Sequence, residues 1–120
     1  EQNGIKRPTN TYRFIYSGGL GARTNVSLLL RAFKRIESKF DVELVISGAH
    51  PERTAYPELV KELKLNRVVF TGFIEDDKMA DFYRAGHTMV FPSEYEGFGK
   101  KLLAMEHYIL SMMKKTWLLK

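Results

Sequence analysis

Four short apolar runs, each ended by a glycine or proline and each followed by apolar residues at helical spacing, constrain this chain more than any other feature. Tyr12 to Tyr16 is rich in aromatic and β-branched residues and stops at Ser17-Gly18-Gly19, which reads as a strand entering a glycine turn. Val26, Leu29, Leu30, Phe33 and Ile36 then recur on one face of a helix, with Asn25 placed as its N-cap. Val42 to Ile46 is a second strand closed by Ser47-Gly48. A loop with Pro51 and Pro57 leads from it to a short helix bearing Leu59, Val60, Leu63 and Leu65. Val68, Val69 and Phe70 form a third strand ending at Gly72, and Asp76 caps a helix whose apolar face is Met79, Phe82 and Tyr83. Thr88 to Phe91 is the fourth strand, stopped by Pro92. After Gly97-Phe98-Gly99 a last helix presents Leu102, Met105, Ile109 and Met112.

This alternation implies βαβ units with right-handed crossovers, hence an α/β domain built on a parallel sheet of about four strands. The strands are nearly continuous in apolar character, as expected where helices cover both faces in a three-layer, Rossmann-like domain. With 120 residues the chain has the length of one domain with a real core. No apolar run approaches the ~20 residues of a membrane helix. The absence of cysteine fits a reducing compartment, so a cytoplasmic protein is expected, and it excludes thiol chemistry. The net charge of +5 suits a solvated basic surface or an anionic partner such as a nucleotide diphosphate or an acidic lipid surface. Basic residues are scattered rather than gathered in one arm, which argues against nucleic acid. His50, His87 and His107 are too dispersed for a metal motif.

In such sheets ligands bind beyond the carboxyl ends of the strands, so the chemistry belongs to the loops at 17–21, 47–51, 71–75 and 92–99. The first loop, Ser17-Gly18-Gly19-Leu20-Gly21-Ala22-Arg23-Thr24-Asn25, has three glycines ahead of a helix. It suits a phosphate held on free helix N–H groups, and it equally suits a plain strand-to-helix turn. It is neither a Walker loop nor a clean G-x-G-x-x-G. In the fourth loop Glu96 precedes Gly97-Phe98-Gly99, whose backbone amides are open to an anion or a sugar hydroxyl. Helix capping by Glu96 accounts for the same residues.

Phe91-Pro92-Ser93-x-x-Glu96-Gly97-Phe98-Gly99 resembles the signature of glycosyltransferase family 4, retaining enzymes of the two-domain GT-B architecture. Tyr16-Ser17-Gly18-Gly19-x-x-x-Arg23-x-Asn25, Leu44 to Gly48, Arg67 to Ile74 and Phe82-Tyr83-Arg84-Ala85 resemble that family in the same order. The resemblance runs from 12 to 105 within a single domain of 1–120, leaving 106–120 as a divergent tail. It implies the C-terminal, donor-binding half of the fold, incomplete here. The implied substrate is a nucleoside-diphosphate sugar, a UDP- or GDP-sugar, used with retention in polysaccharide biosynthesis and with no cofactor or metal. Carried over by position, Gly18, Gly19, Arg23 and Thr24 lie near the diphosphate. Glu96 is the catalytic carboxylate on the donor sugar, and Gly97, Phe98 and Gly99 meet donor oxygens. The loops after Gly48 and Gly72 approach the base. An N-terminal acceptor domain or a partner chain would complete the site, at the inner face of the membrane where acceptors are lipid-linked.

Three departures set the alternative, a remnant or interaction module of the same ancestry that no longer binds nucleotide. Thr24 stands where the family has a phosphate-binding lysine. Ala104 occupies the place of a second glutamate, and Glu106, two residues on and about 200° further round a helix, should face elsewhere. The tail resembles nothing in the family, so the fourth strand, with Met89, Val90 and Phe91, is expected to pair with a second copy or to be covered by the tail.

Overall fold

The structure, a computed structural model, describes residues 8–21, 24–92 and 101–115. Its strands are β1 (Tyr12–Ser17), β2 (Val42–Ser47), β3 (Val68–Gly72) and β4 (Thr88–Met89). The helices are α1 (Val26–Glu37), α2 (Tyr56–Glu62), α3 (Met79–Arg84) and α4 (Lys101–Met113). Single 3-10 turns at Pro51–Arg53 and Asp76–Lys78 precede α2 and α3. The sheet is parallel throughout in the order β3-β2-β1-β4.

Side chains alternate across a strand, and the register of β1 on β2 sets Tyr12, Phe14 and Tyr16 beside Val42, Leu44 and Ile46. All six are buried in one cluster with Leu29, Leu30 and Phe33 of α1, Leu59 of α2, and Met105, Ile109 and Met113 of α4. The opposite face carries Arg13, Ile15 and Glu43. Arg13 is ion-paired to Glu43 and donates to the Ala85 carbonyl at 2.9 Å. Gly86 lies so close over Ile15 that a Cβ there would sit 2.6 Å from its Cγ2. Helical cover is therefore heavier on the α1–α2–α4 side.

Several expectations are corrected. Asn25 holds the N-cap position of α1 but makes no side-chain capping bond. Its backbone is left-handed (φ 60°), outside the extended region a capping side chain needs, and its amide is spent elsewhere. Asp76 lies inside a 3-10 turn after the extended Glu75 and makes no capping bond. On α3 only Phe82 is buried and Tyr83 is 47% exposed, because six residues offer less than two turns to the sheet. The last helix buries Met113 in place of Met112, completing the i, i+4, i+8 row from Met105. β4 ends at Met89. Val90 still donates to the Ile15 carbonyl at 2.9 Å, but the Phe91 N–H turns to the Tyr108 hydroxyl of α4 at 3.0 Å, and Pro92 has no N–H to continue. His87, just before β4, stacks on Tyr12 with ring centroids 4.8 Å apart, and its Nδ1 accepts the Arg13 N–H.

Candidate functional site

Because every strand runs the same way, the carboxyl ends of all four share one edge, and the loops leaving it are fastened to one another. Tyr16, the last core residue of β1, lies beneath the first loop. A Cβ on Gly18 would meet its hydroxyl at 2.7 Å, so glycine is what allows the loop to fold over the ring. The Tyr16 hydroxyl donates to the Gly19 carbonyl at 2.8 Å, and Gly19 takes a left-handed backbone (φ 87°) with open space where a side chain would stand.

The Gly21 carbonyl collects three donors: the Thr24 hydroxyl at 2.7 Å, the Thr24 N–H at 3.3 Å and the Tyr56 hydroxyl of α2 at 3.2 Å. Leu20 packs on Gly48, where a Cβ would fall 2.9 Å from its Cγ. Gly48 N–H donates to the Gly72 carbonyl at 3.1 Å, tying the second loop to the third. Asn25 closes the ring, its Nδ2 donating across to the Pro92 carbonyl at 3.1 Å. Asn25, a residue type that tolerates the left-handed region, thus holds the first loop against the fourth, and Leu20 holds it against the second.

The N-terminus of α1 opens on this edge. Its first bond runs from the Leu29 N–H to the Asn25 carbonyl at 3.0 Å, so the N–H groups of Val26, Ser27 and Leu28 precede the helix ladder. Together with the helix dipole they favour an anion.

Of the residues singled out by sequence, the structure brings Gly18, Gly19 and Thr24 together at this edge, with the Thr24 hydroxyl proton committed to Gly21. Arg23, Glu96, Gly97, Phe98 and Gly99 lie outside the described residues. His50 is exposed, its Nδ1 3.3 Å from Glu52 Oε2. Glu106 faces away from the edge, as its position on the helix requires. It is 5% exposed, ion-paired to Arg35 near the far end of α1, with Lys39 Nζ at 4.0 Å. Among the described residues no three His, Asp or Glu side chains converge as metal ligands. Sequence reading missed Tyr16, Leu20 and Tyr56 as loop fasteners; an aromatic residue two positions before a double glycine was the only available signal for one of them.

Burial pushes the Tyr16 hydroxyl above its ordinary value of 10, outweighing a hydrogen bond with Thr24 that lowers it; the neighbouring Tyr56 adds to the rise. A folded-state value above the unfolded one means the folded protein keeps its proton when the unfolded chain has lost it. The stability from this group is complete below pH ~10 and is lost as the pH rises through the folded value. An alkaline loss of stability is therefore expected above pH ~10, smaller in Tyr16→Phe, in melts recorded from pH 8 to 11. Superimposable alkaline limbs for the two proteins would show that Tyr16 is not the group responsible.

Comparison with known proteins gives a consistent result. The family model for glycosyl transferases group 1 matches residues 1–106. A glycosyltransferase of Methanocaldococcus jannaschii is 31% identical over 93 residues, covering 77% of this chain and 23% of the relative. The O-antigen chain mannosyltransferase B of Escherichia coli is 30% identical over 93 residues, covering 74% of this chain and 24% of the relative. The chain thus spans about a quarter of the length of these two relatives. Among solved structures, the C-terminal domain of a glycosyl transferase group 1 family protein from Francisella tularensis superposes with a TM-score of 0.59 at 27% identity, over 78% of this chain and 52% of that one. A glycosyltransferase from Rickettsia africae shares the fold at 22% identity and a TM-score of 0.62, over 82% of this chain and 27% of that one.

Proposed function

The chain belongs to the group 1 glycosyl transferases, and from that premise we propose that its loop edge binds a nucleoside-diphosphate sugar, the donor for sugar transfer with retention. The observation that supports this best is the bond from Asn25 to the Pro92 carbonyl. It sets the open N-terminus of α1 beside Pro92, four residues before Glu96 in the sequence.

In this reading the α1 N–H groups and Arg23 take the diphosphate, whose negative charge grows as the bond to the sugar's anomeric carbon breaks. Glu96 accepts hydrogen bonds from the sugar, and the amides of Phe98 and Gly99 hold its oxygens. Thr24 serves by shaping the loop through Gly21 and brings no charge of its own. A charge-assisted phosphate contact contributes about 1.5–3 kcal/mol, so donor binding should be weaker than with lysine at that position. Transfer itself requires an acceptor site from a further domain or partner chain. The inward turn of Thr24 is also what a domain that has lost nucleotide binding would show, and the same experiment separates the two readings.

The name of the E. coli relative makes a mannose-bearing donor the first to try. Thermal melts with UDP, GDP and ADP and their glucose and mannose conjugates are expected to show a base-selective stabilisation, about 2.7 kcal/mol at a hundredfold excess over Kd. That shift should vanish in Arg23→Ala and in Glu96→Ala. A cooperative melt unmoved by any of them at millimolar concentration would discard donor binding and leave an interaction module.

A further inference from the structure

We propose that the outer edge of β3 is a self-association surface, on which a second copy of this chain lays its own β3, antiparallel and centred on Val69. Among the described residues β3 borders the sheet, with β2 as its one strand neighbour. Sheet edges are ordinarily guarded by lysine, proline or an inward-facing charge, whereas residues 68–74, Val-Val-Phe-Thr-Gly-Phe-Ile, contain none. The edge is also apolar on its surface. Val69 is 53% exposed, and Phe73, just beyond the strand, is 70% exposed.

The backbone fixes the register. Leu44 N–H donates to the Arg67 carbonyl at 2.9 Å, so Arg67, Val69 and Thr71 turn their groups towards β2, and Val68 and Phe70 turn theirs outwards. Beyond Phe70 the ladder shifts by a bulge, and the Gly72 carbonyl is taken by Gly48 N–H. The outward set is therefore the N–H and C=O of Val68 and of Phe70. A twofold axis at Val69 pairs Val68 of each copy with Phe70 of the other and uses all four groups on both sides. Moving the axis to Phe70 or Thr71 sets an outward group against Gly72, whose carbonyl is already engaged.

The side chains agree with a second copy as the occupant. Val69 meets Val69 of the other copy across the axis, in the position where opposed residues approach most closely. Beside the edge lies a groove of about 420 Å³ lined by Pro51, Glu52, Thr54, Pro57, Glu58, Lys61 and Phe70. Glu58 and Lys61 stand three residues apart on α2 with opposite charge, and in the proposed pair the two α2 helices run antiparallel on one face of the joined sheet, an arrangement that suits Glu58 of one copy to Lys61 of the other. The edge at β4 offers less, being two residues long with the next N–H already given to Tyr108.

The chain has no cysteine, so single-cysteine variants report the pairing directly. Directly opposed, non-hydrogen-bonded residues hold their Cβ atoms close enough for a disulfide. In mild oxidant, Val69→Cys is expected to form a covalent dimer at least about tenfold faster than Thr71→Cys, which lies on the same face but opposes Arg67. Sedimentation equilibrium of the unaltered chain should show a dimer at about 200 µM, and Val69→Lys a monomer with an unchanged melt. A monomeric unaltered chain, a dimer that survives Val69→Lys, or equal cross-linking of the two cysteine variants would each overturn the proposal. Should Val69→Lys fail to fold, the cysteine pair alone decides.

Discussion

An alanine at Phe33 is expected to lower the free energy of unfolding by about 3–5 kcal/mol, the range for deleting a fully buried aromatic ring. Phe33 has no exposed surface, and its ring meets Phe14 of β1 edge-on, with centroids 6.3 Å apart and planes at 84°. It is where α1 bears on the central strand. Leu29, Leu30 and Ile36 flank it in the same cluster and are themselves fully packed, so little can move in to fill the space. Domains of this kind are stable by about 5–15 kcal/mol, so the loss is a large share of the whole. In urea the midpoint should fall by roughly 2 M while the slope stays the same. A loss below about 1 kcal/mol would mean that α1 does not sit on β1 through this ring. The effect reaches function because α1 carries the open N–H groups of the loop edge, and they are only as well placed as the helix behind them.

The fold was legible because strand and helix periods differ and the glycines fall between them. Runs such as Tyr12 to Tyr16 and Val42 to Ile46 cannot lie on one helix face, and the 26, 29, 30, 33, 36 row cannot lie on one strand face. Alternation and handedness then leave few arrangements, and the order β3-β2-β1-β4 is among them. What periodicity does not carry is whether a stripe meets a partner. Tyr83 shares a helical row with Met79 yet stays exposed, because α3 ends after six residues. Met113 is buried rather than Met112 because the row from Met105 through Ile109 decides which side of α4 meets α1.

The loop edge was legible in place but not in its fastenings. Topology alone puts the loops after β1, β2, β3 and β4 together, and the glycines mark where the backbone bends. The contacts that hold them are long-range and involve side chains whose local preferences point elsewhere. Asparagine before a helix favours capping, yet Asn25 reaches Pro92, 67 residues away. Tyrosine at the end of a strand reads as core, yet the Tyr16 hydroxyl organises Gly19. Threonine in a phosphate loop reads as a ligand, yet Thr24 donates to Gly21. In each case a nearby carbonyl left unpaired by the turn was the stronger claim on the donor, and sequence spacing does not show where those carbonyls point.

Removing Arg35 should cost more than removing its buried partner. Glu106 is 5% exposed, and among the described residues it is salt-bridged to Arg35, whose side chain is 48% exposed, and to Lys39 at 4.0 Å. In Arg35→Ala the carboxylate stays buried with only the longer contact, and a stranded buried charge is expensive; the expected loss is about 2–3 kcal/mol, moderated by Lys39. In Glu106→Gln the freed guanidinium turns to water and the amide keeps much of the shape, so the loss should stay near 1 kcal/mol. The double variant Arg35→Ala/Glu106→Gln should then be more stable than Arg35→Ala alone, because the stranded charge is gone. Urea midpoints of the four proteins form a cycle that tests this directly. If Arg35→Ala and Glu106→Gln lose the same amount, or if the double variant is the least stable of the set, burial of Glu106 is not what gives the pair its asymmetry. The same cycle bears on the loop edge, because α4 follows the segment from Pro92 to Lys101 and is held to α1 in part through this pair. If the loop edge binds the proposed donor, a weaker hold on α4 should loosen that binding in Arg35→Ala although neither residue lies at the site.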